Sequence, residues 1–112
     1  MKLYKYQGAG NDFLLADNRS GDVRFTPEQI AFMCDRRYGV GADGLMLLGK
    51  GEEGFDFTME YFNSDGTGGM MCGNGGRCIV AFAADLGLER FKFTAPDGAH
   101  EAEILSREGN CK

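Results

Sequence analysis

The chain has no run of apolar residues approaching 18, only two prolines, a single histidine, no excess of basic side chains and few cysteines. Each shortage closes off a class of protein. Without a long apolar run no membrane-spanning helix is written into the 112 residues. The start, Met1-Lys2-Leu3-Tyr4-Lys5-Tyr6, lacks the apolar segment and cleavage site of a signal peptide, which points to a cytoplasmic protein. Two prolines, and glycines without a three-residue period, exclude collagen, and nine Phe with four Tyr argue against a flexible linker. Twelve Lys and Arg against seventeen Asp and Glu leave a net charge of −5, which repels a phosphate backbone, so nucleic acid is not an expected partner. The four cysteines, Cys34, Cys72, Cys78 and Cys111, follow no CxxC pattern and are expected to be thiols in a reducing compartment. Cys72 and Cys78 lie six apart with His100 well outside that segment, so no metal is expected, and without GxxxxGK[ST] there is no P-loop.

A chain of 112 residues suits one compact domain that buries a little under about 70% of its unfolded surface. The 43% apolar and 26% charged fractions are ordinary, whereas 18 glycines are roughly twice the usual share and must serve turns or a site. Residues 1–7 and 13–16 read as short strands around the turn cluster Gly8-Ala9-Gly10-Asn11-Asp12. Thr26-Pro27-Glu28-Gln29 supplies an N-cap, a proline at the first helical position and Gln three residues after the cap, predicting a helix over 27–37 stopped by Gly39. Residues 45–48 form an aliphatic strand, and over 55–61 the residues Phe55, Phe57, Met59 and Tyr61 alternate with polar ones as in a strand with one buried face. Residues 78–86, apolar except at Asp85, predict a helix inside the core. Residues 91–95 and 99–105 predict a hairpin about Pro96-Asp97-Gly98.

Gly39-Val40-Gly41-Ala42-Asp43-Gly44 spells GxGxxG, but a dinucleotide fingerprint needs a strand before it and a helix after it. Here the order is reversed, and a tight helix-to-strand connection is expected. Cys72 stands out because a loop from a buried strand delivers it to the start of the apolar helix, with Gly73, Asn74, Gly75 and Gly76 following. A helix N-terminus favours an anion by about 0.3 to 1 kcal/mol, which raises a thiolate fraction several-fold near neutrality. The competing reading is a small buried hydrophobe, the usual fate of a free cysteine. Cys78, which begins the buried run, is a weaker candidate, and Cys34 and Cys111 weaker still. Unpaired amides at a helix start bind carboxylates as readily as phosphates, and Asn63 and Asn74 could each offer a donor and an acceptor to an amino-acid head group. Asn11 has the same chemistry, or is simply a turn residue. His100, near Glu101 and Glu103, reads as solvated.

Four blocks carry a resemblance: Gly8-Ala9-Gly10-Asn11-Asp12-Phe13; Arg37-Tyr38-Gly39-Val40-Gly41-Ala42-Asp43-Gly44; Phe62-Asn63-Ser64-Asp65-Gly66; and Met71-Cys72-Gly73-Asn74-Gly75-Gly76-Arg77-Cys78. In these the chain resembles the amino-terminal half of the diaminopimelate epimerase family, across essentially its whole length. The resemblance implies an α+β fold, a mixed and mostly antiparallel sheet rolled around a central apolar helix, with residues 1–112 as the amino-terminal domain and a second, similar domain absent from the chain. It implies isomerase activity without a cofactor: inversion of an α-carbon of LL-diaminopimelate to the meso isomer, in lysine and cell-wall synthesis, by one cysteine that removes the α-proton and a second that returns one. By position Cys72 matches the catalytic cysteine of the first domain, and Asn11, Asn63, Gly73 and Asn74 match residues that hold the substrate. Where some members have a substrate-contacting glutamine this chain has Gly44, so that contact is not carried over. Thr67-Gly68-Gly69 departs from a commoner serine and polar pair, which is expected to loosen the loop before Cys72.

With one cysteine half-site the chain is expected to be inactive alone. Unpaired edge strands should let it associate, as a homodimer or edge to edge. Two alternatives keep the same residues: an amino-acid racemase or isomerase of the same fold, and a non-catalytic carboxylate-binding module using the nest at 73–76.

Overall fold

The computed structural model describes residues 3–8, 10–68, 73–96 and 98–102. Strands β1 (Tyr4–Gly8), β2 (Asn11–Asn18), β3 (Gly44–Lys50), β4 (Phe57–Asn63), β5 (Phe91–Ala95) and β6 (Gly98–Ala102) lie in chain order in one six-stranded sheet, with helix α1 (Pro27–Cys34) between β2 and β3 and helix α2 (Gly73–Asp85) between β4 and β5. The pairs β1–β2, β3–β4 and β5–β6 are antiparallel, while β2–β3 and β4–β5, each joined through a helix, are parallel. Parallel crossovers are right-handed. Because the β3–β4 hairpin reverses strand direction between the two crossovers, that rule puts α1 and α2 on opposite faces of the sheet. Strand alternation agrees. Phe13, Leu15, Met46, Leu48, Phe57 and Met59 pack with Cys78, Ile79 and Phe82 of α2, whereas Leu14, Ala16, Leu45 and Leu47 pack with Ile30 and Cys34 of α1.

The α2 core draws on β1 through β5, with Tyr6, Phe13, Met46, Phe57 and Phe93 around one helix, so the expected α+β class and apolar central helix are observed. Phe82, fully buried, meets the Tyr4 and Tyr6 rings at centroid distances of 5.2 and 5.7 Å, and Phe57 stacks on Phe93 at 4.7 Å. Burying one such ring contributes about 1.5–3 kcal/mol. The Tyr6 hydroxyl donates to Asp85 on the last turn of α2, tying the helix end to β1.

Element boundaries depart from the sequence reading in four places. Helix α1 has the predicted start: Gln29 N donates to Thr26 Oγ1 at 3.1 Å and Thr26 N to Gln29 Oε1 at 2.8 Å. It ends at Cys34, not near residue 37, because Asp35 is extended and its Oδ1 accepts from Arg37 N at 2.7 Å and Tyr38 N at 3.0 Å. Loop amides then take over the helix carbonyls, Val40 N and Gly41 N donating to Met33 O at 3.0 Å and Ala42 N to Cys34 O at 3.1 Å. Asn11 and Asp12 belong to β2 instead of a turn, and β4 begins at Phe57, leaving Phe55 outside it. Helix α2 begins at Gly73, so the glycines at 73, 75 and 76 form its first turn and not a separate nest before it. The hairpin over 91–102 is present, and its predicted continuation from residue 103 lies outside the described residues. Among the described residues no helix is long and apolar enough to cross a membrane.

Candidate functional site

Register gathers the sequence-predicted residues at one end of the sheet. Phe13 pairs with Gly44 in the parallel β2–β3 ladder, and Gly44 pairs with Asn63 in the antiparallel β3–β4 ladder. Asn11 stands two residues before Phe13, and with a side-chain period of two it shares the face of Phe13, Gly44 and Asn63. That face carries α2. The starts of β2 and β3 and the end of β4 therefore bring Asn11, Gly44 and Asn63 to one edge on the α2 side. From there the chain runs on towards Cys72, and Gly73 and Asn74 are the first two residues of α2. Cys72 itself lies outside the described residues.

Gly44 is close-packed. A Cβ there would stand 2.7 Å from Phe62 O and 2.9 Å from the Tyr61 hydroxyl, so no larger residue fits without displacing β4. Tyr61 leans over this point with its ring 6.0 Å from that of Phe13. The loop after β4 is tied where it was expected to be loose. Asn63 Nδ2 donates to Thr67 Oγ1 at 3.2 Å, Asn63 N donates to Thr67 O at 2.8 Å, and the Thr67 hydroxyl and amide both donate to Asp65 Oδ1, at 2.6 and 2.9 Å. Gly68 then bridges Phe62. Thr67 thus supplies the hydroxyl that closes the loop, and its hydrogen bonds hold the Asp65 carboxyl below its ordinary range.

A charged cluster backs Asn11 from β2 and the α1–β3 connection. Asp12, almost fully buried, accepts two bonds from Arg36, at 3.0 and 2.7 Å, and an ion pair from Lys5 at 3.1 Å. Arg36 Nη2 also donates to Asp43 Oδ1 at 3.1 Å, and Asp43 Oδ2 accepts from Asn11 Nδ2 at 3.2 Å and from Asp12 N at 3.0 Å. Two cations face two carboxylates, so the cluster is close to neutral. The Arg36 guanidinium, helped by Lys5, outweighs burial and holds the Asp12 carboxyl far below the usual carboxylate range. Sequence reasoning missed this cluster: Asp43 sat inside a glycine motif read as a connection, and nothing local pairs Arg36 with Asp12.

Cys34 is a free thiol buried against the sheet on α1, and burial pushes its pKa up. Cys78, fully buried on α2, is disulfide-bonded, which corrects the expectation that all four cysteines are thiols. Cysteine count speaks to the redox compartment, whereas a bridge needs only two Cα atoms brought within about 4.4–6.8 Å by the fold. Among the described residues no three His, Cys, Asp or Glu side chains are grouped to hold a metal ion. His100 stacks on Phe93 at 5.4 Å, so it is not simply solvated.

Comparison with known proteins gives the arrangement a context. The family described as Diaminopimelate epimerase matches residues 3–112. Among curated relatives, a diaminopimelate epimerase of Flavobacterium psychrophilum is 54% identical over 110 residues, covering 93% of this chain and 41% of the relative. One from Chlorobaculum tepidum is 50% identical over 105 residues, covering 90% of this chain and 40% of the relative. A chloroplastic diaminopimelate epimerase of Oryza sativa subsp. japonica is 49% identical over 117 residues, covering 100% of this chain and 33% of the relative. The chain thus spans between a third and two fifths of these relatives' length. Among solved structures, a Bacillus anthracis phenazine biosynthesis protein of the PhzF family superposes with a TM-score of 0.66 at 18% identity, covering 99% of this chain and 39% of that one. A methylitaconate-delta-isomerase superposes with a TM-score of 0.63 at 16% identity, covering 98% of this chain and 61% of that one. These two likenesses are of fold.

Proposed function

The chain belongs to the diaminopimelate epimerase family, and we propose that it is the amino-terminal domain of an enzyme that epimerises LL-diaminopimelate to the meso isomer without a cofactor. In this reading Cys72 is one of two thiols. Its thiolate takes the α-proton, so that the C–H bond breaks as an S–H bond forms, and a thiol on the opposite face delivers a proton to the carbanion-like centre. The second cysteine comes from a further domain, and the 112 residues alone carry only one half-site. Asn11, Asn63, Gly73 and Asn74 hold the substrate: Asn11 and Asn63 as amides at the sheet edge, Gly73 and Asn74 through the first turn of α2, whose dipole favours a carboxylate. The site takes a small-molecule amino acid in the cytoplasm, as a step of lysine biosynthesis, and β1 and β6, the outer strands among the described residues, let copies associate.

The observation that supports this most is the meeting of Asn11, Gly44 and Asn63 on the α2 side of one sheet edge, immediately ahead of the segment that carries Cys72. An α-proton is weakly acidic, so a base needs oriented dipoles and a desolvated site as well as proximity. The test is solvent deuterium exchange at the α-carbon of diaminopimelate by the full-length enzyme, under thiol reductant. Cys72→Ala should abolish both exchange and epimerisation. Retained turnover in that variant, or turnover by the 112-residue chain alone, would overturn the assignment.

A further inference from the structure

An asparagine amide presents a donor at one end and an acceptor at the other, in nearly the same shape, so a ligand residue of this type is useful only if something selects one orientation. Asn11 opens β2 and pairs with Gly8 across the hairpin. Its side-chain orientation is set from the residue just before β3. Asn11 Nδ2 donates to Asp43 Oδ2 at 3.2 Å, and a carboxylate only accepts, so the carbonyl end of the amide cannot take that place. Asp43 is itself held from three sides. Its Oδ2 also accepts from Asp12 N at 3.0 Å, its own N–H donates to Asp12 O at 2.8 Å, and its Oδ1 accepts from Arg36 Nη2 at 3.1 Å. Arg36 in turn grips Asp12 through both terminal nitrogens. The carboxylate cannot swing away from Asn11 without breaking contacts to the residue next to it in the chain.

We infer that Asp43, braced by Arg36, is a positioning residue that locks the orientation of the Asn11 amide at the start of β2, and with it the way Asn11 meets a ligand. This rests on the reading of Asn11 as a ligand residue, and it predicts that Asp43 acts on catalysis only through Asn11.

A double-variant cycle in the full-length enzyme, assayed with LL-diaminopimelate, separates the possibilities. Asp43→Ala and Asn11→Ala should each lower kcat/KM by about tenfold, chiefly through KM, and the double variant should be no worse than Asn11→Ala alone. Losses that multiply in the double variant would overturn the positioning role and leave the functional reading intact. Wild-type kcat/KM in Asn11→Ala would overturn both. A conservative pair of variants covers the case in which Asp43→Ala disturbs folding. Asp43→Asn keeps an amide oxygen able to accept from both Asp12 N and Asn11 Nδ2 and should stay within about threefold of wild type, whereas Asp43→Leu, of similar size and without an acceptor, should lose about tenfold. Asp43→Asn as impaired as Asp43→Leu would overturn the inference.

Discussion

Replacing Gly66 by alanine tests how the candidate site is seated on the fold. Gly66 is buried in the loop between β4 and α2, has φ +89°, and its N–H donates to Asn63 O at 2.9 Å. A Cβ at this position would stand 2.7 Å from both Cα and the carbonyl carbon of Pro27, and nearer still to the Pro27 oxygen. Pro27 opens α1 and is fixed by its ring and by the Thr26–Gln29 capping box, so the obstacle is backbone that cannot turn aside. Two costs add. An L side chain in the left-handed region costs about 1–2 kcal/mol, and overpacking against an immovable neighbour about 1–3, giving about 3 kcal/mol in all. Gly54→Ala is the control, since Gly54 has φ +87° with nothing within 4 Å of an added Cβ and should lose only the conformational part, about 1 kcal/mol. Urea denaturation of the chain at pH 7 measures both variants, and for a domain of this size 3 kcal/mol corresponds to a fall in Tm of about 12 °C. If Gly66→Ala costs no more than Gly54→Ala, within about 0.5 kcal/mol, the loop that carries Asn63 is not seated on the start of α1 and the argument fails.

Thr26→Ala removes the reciprocal cap of α1 and should cost about 1 kcal/mol in the same assay, with Thr26→Ser close to wild type. Asp12→Ala removes three charge-assisted contacts; because Lys5 and Arg36 are 37% and 57% exposed, the loss at pH 7 should be held to about 2 kcal/mol. Arg36 and Lys5 keep the folded Asp12 carboxyl ionised far below its ordinary range. Its contribution is therefore complete above the unfolded value near ~4 and is lost as pH falls through the folded value. The stability gap between wild type and Asp12→Ala should stay flat from pH 5 to 8 and narrow steadily below about pH 4. A gap that widens on acidification would refute the pairing.

Where burial alone dictates structure, the residues announce it. The alternation of Phe57, Met59 and Tyr61 and the unbroken apolar stretch after Cys78 are one-dimensional records of facing α2 or lying within the core. Boundaries were misread where a distant partner outweighs local preference. Gly73, Gly75 and Gly76 are poor helix formers, each about 1 kcal/mol worse than alanine, yet they form the first turn of α2. Asn11 and Asp12 look like turn residues, but the Asp12 amide finds Asp43, and the pair joins β2. Asp35 would continue a helix by pattern; its side chain captures two amides downstream and ends it. For the candidate site, Asn11 and Asn63 were named through motif, and the register brings them to one end of the sheet. Arg36 and Asp43 were not, since two charges in an ordinary composition carry no sign of which carboxylate or amide they will meet.

The same residues that specify the core register also assemble the candidate site. Leu14 pairs with Leu45 and Leu15 with Met46, one pair facing α1 and the other α2. A slip of β2 by one residue would send Leu15 to the α1 side and Leu14 to the α2 side, disrupting both clusters, and would turn Asn11 away from Gly44 and Asn63. It would also carry Asp12 from the Arg36 side into the apolar face against α2, where an unpaired carboxylate is prohibitively costly. Asp12 therefore discriminates between registers as strongly as the leucines do. The side chain that sits beside Asn11 in sequence, and belongs to the opposite face, guarantees the face on which Asn11 is displayed.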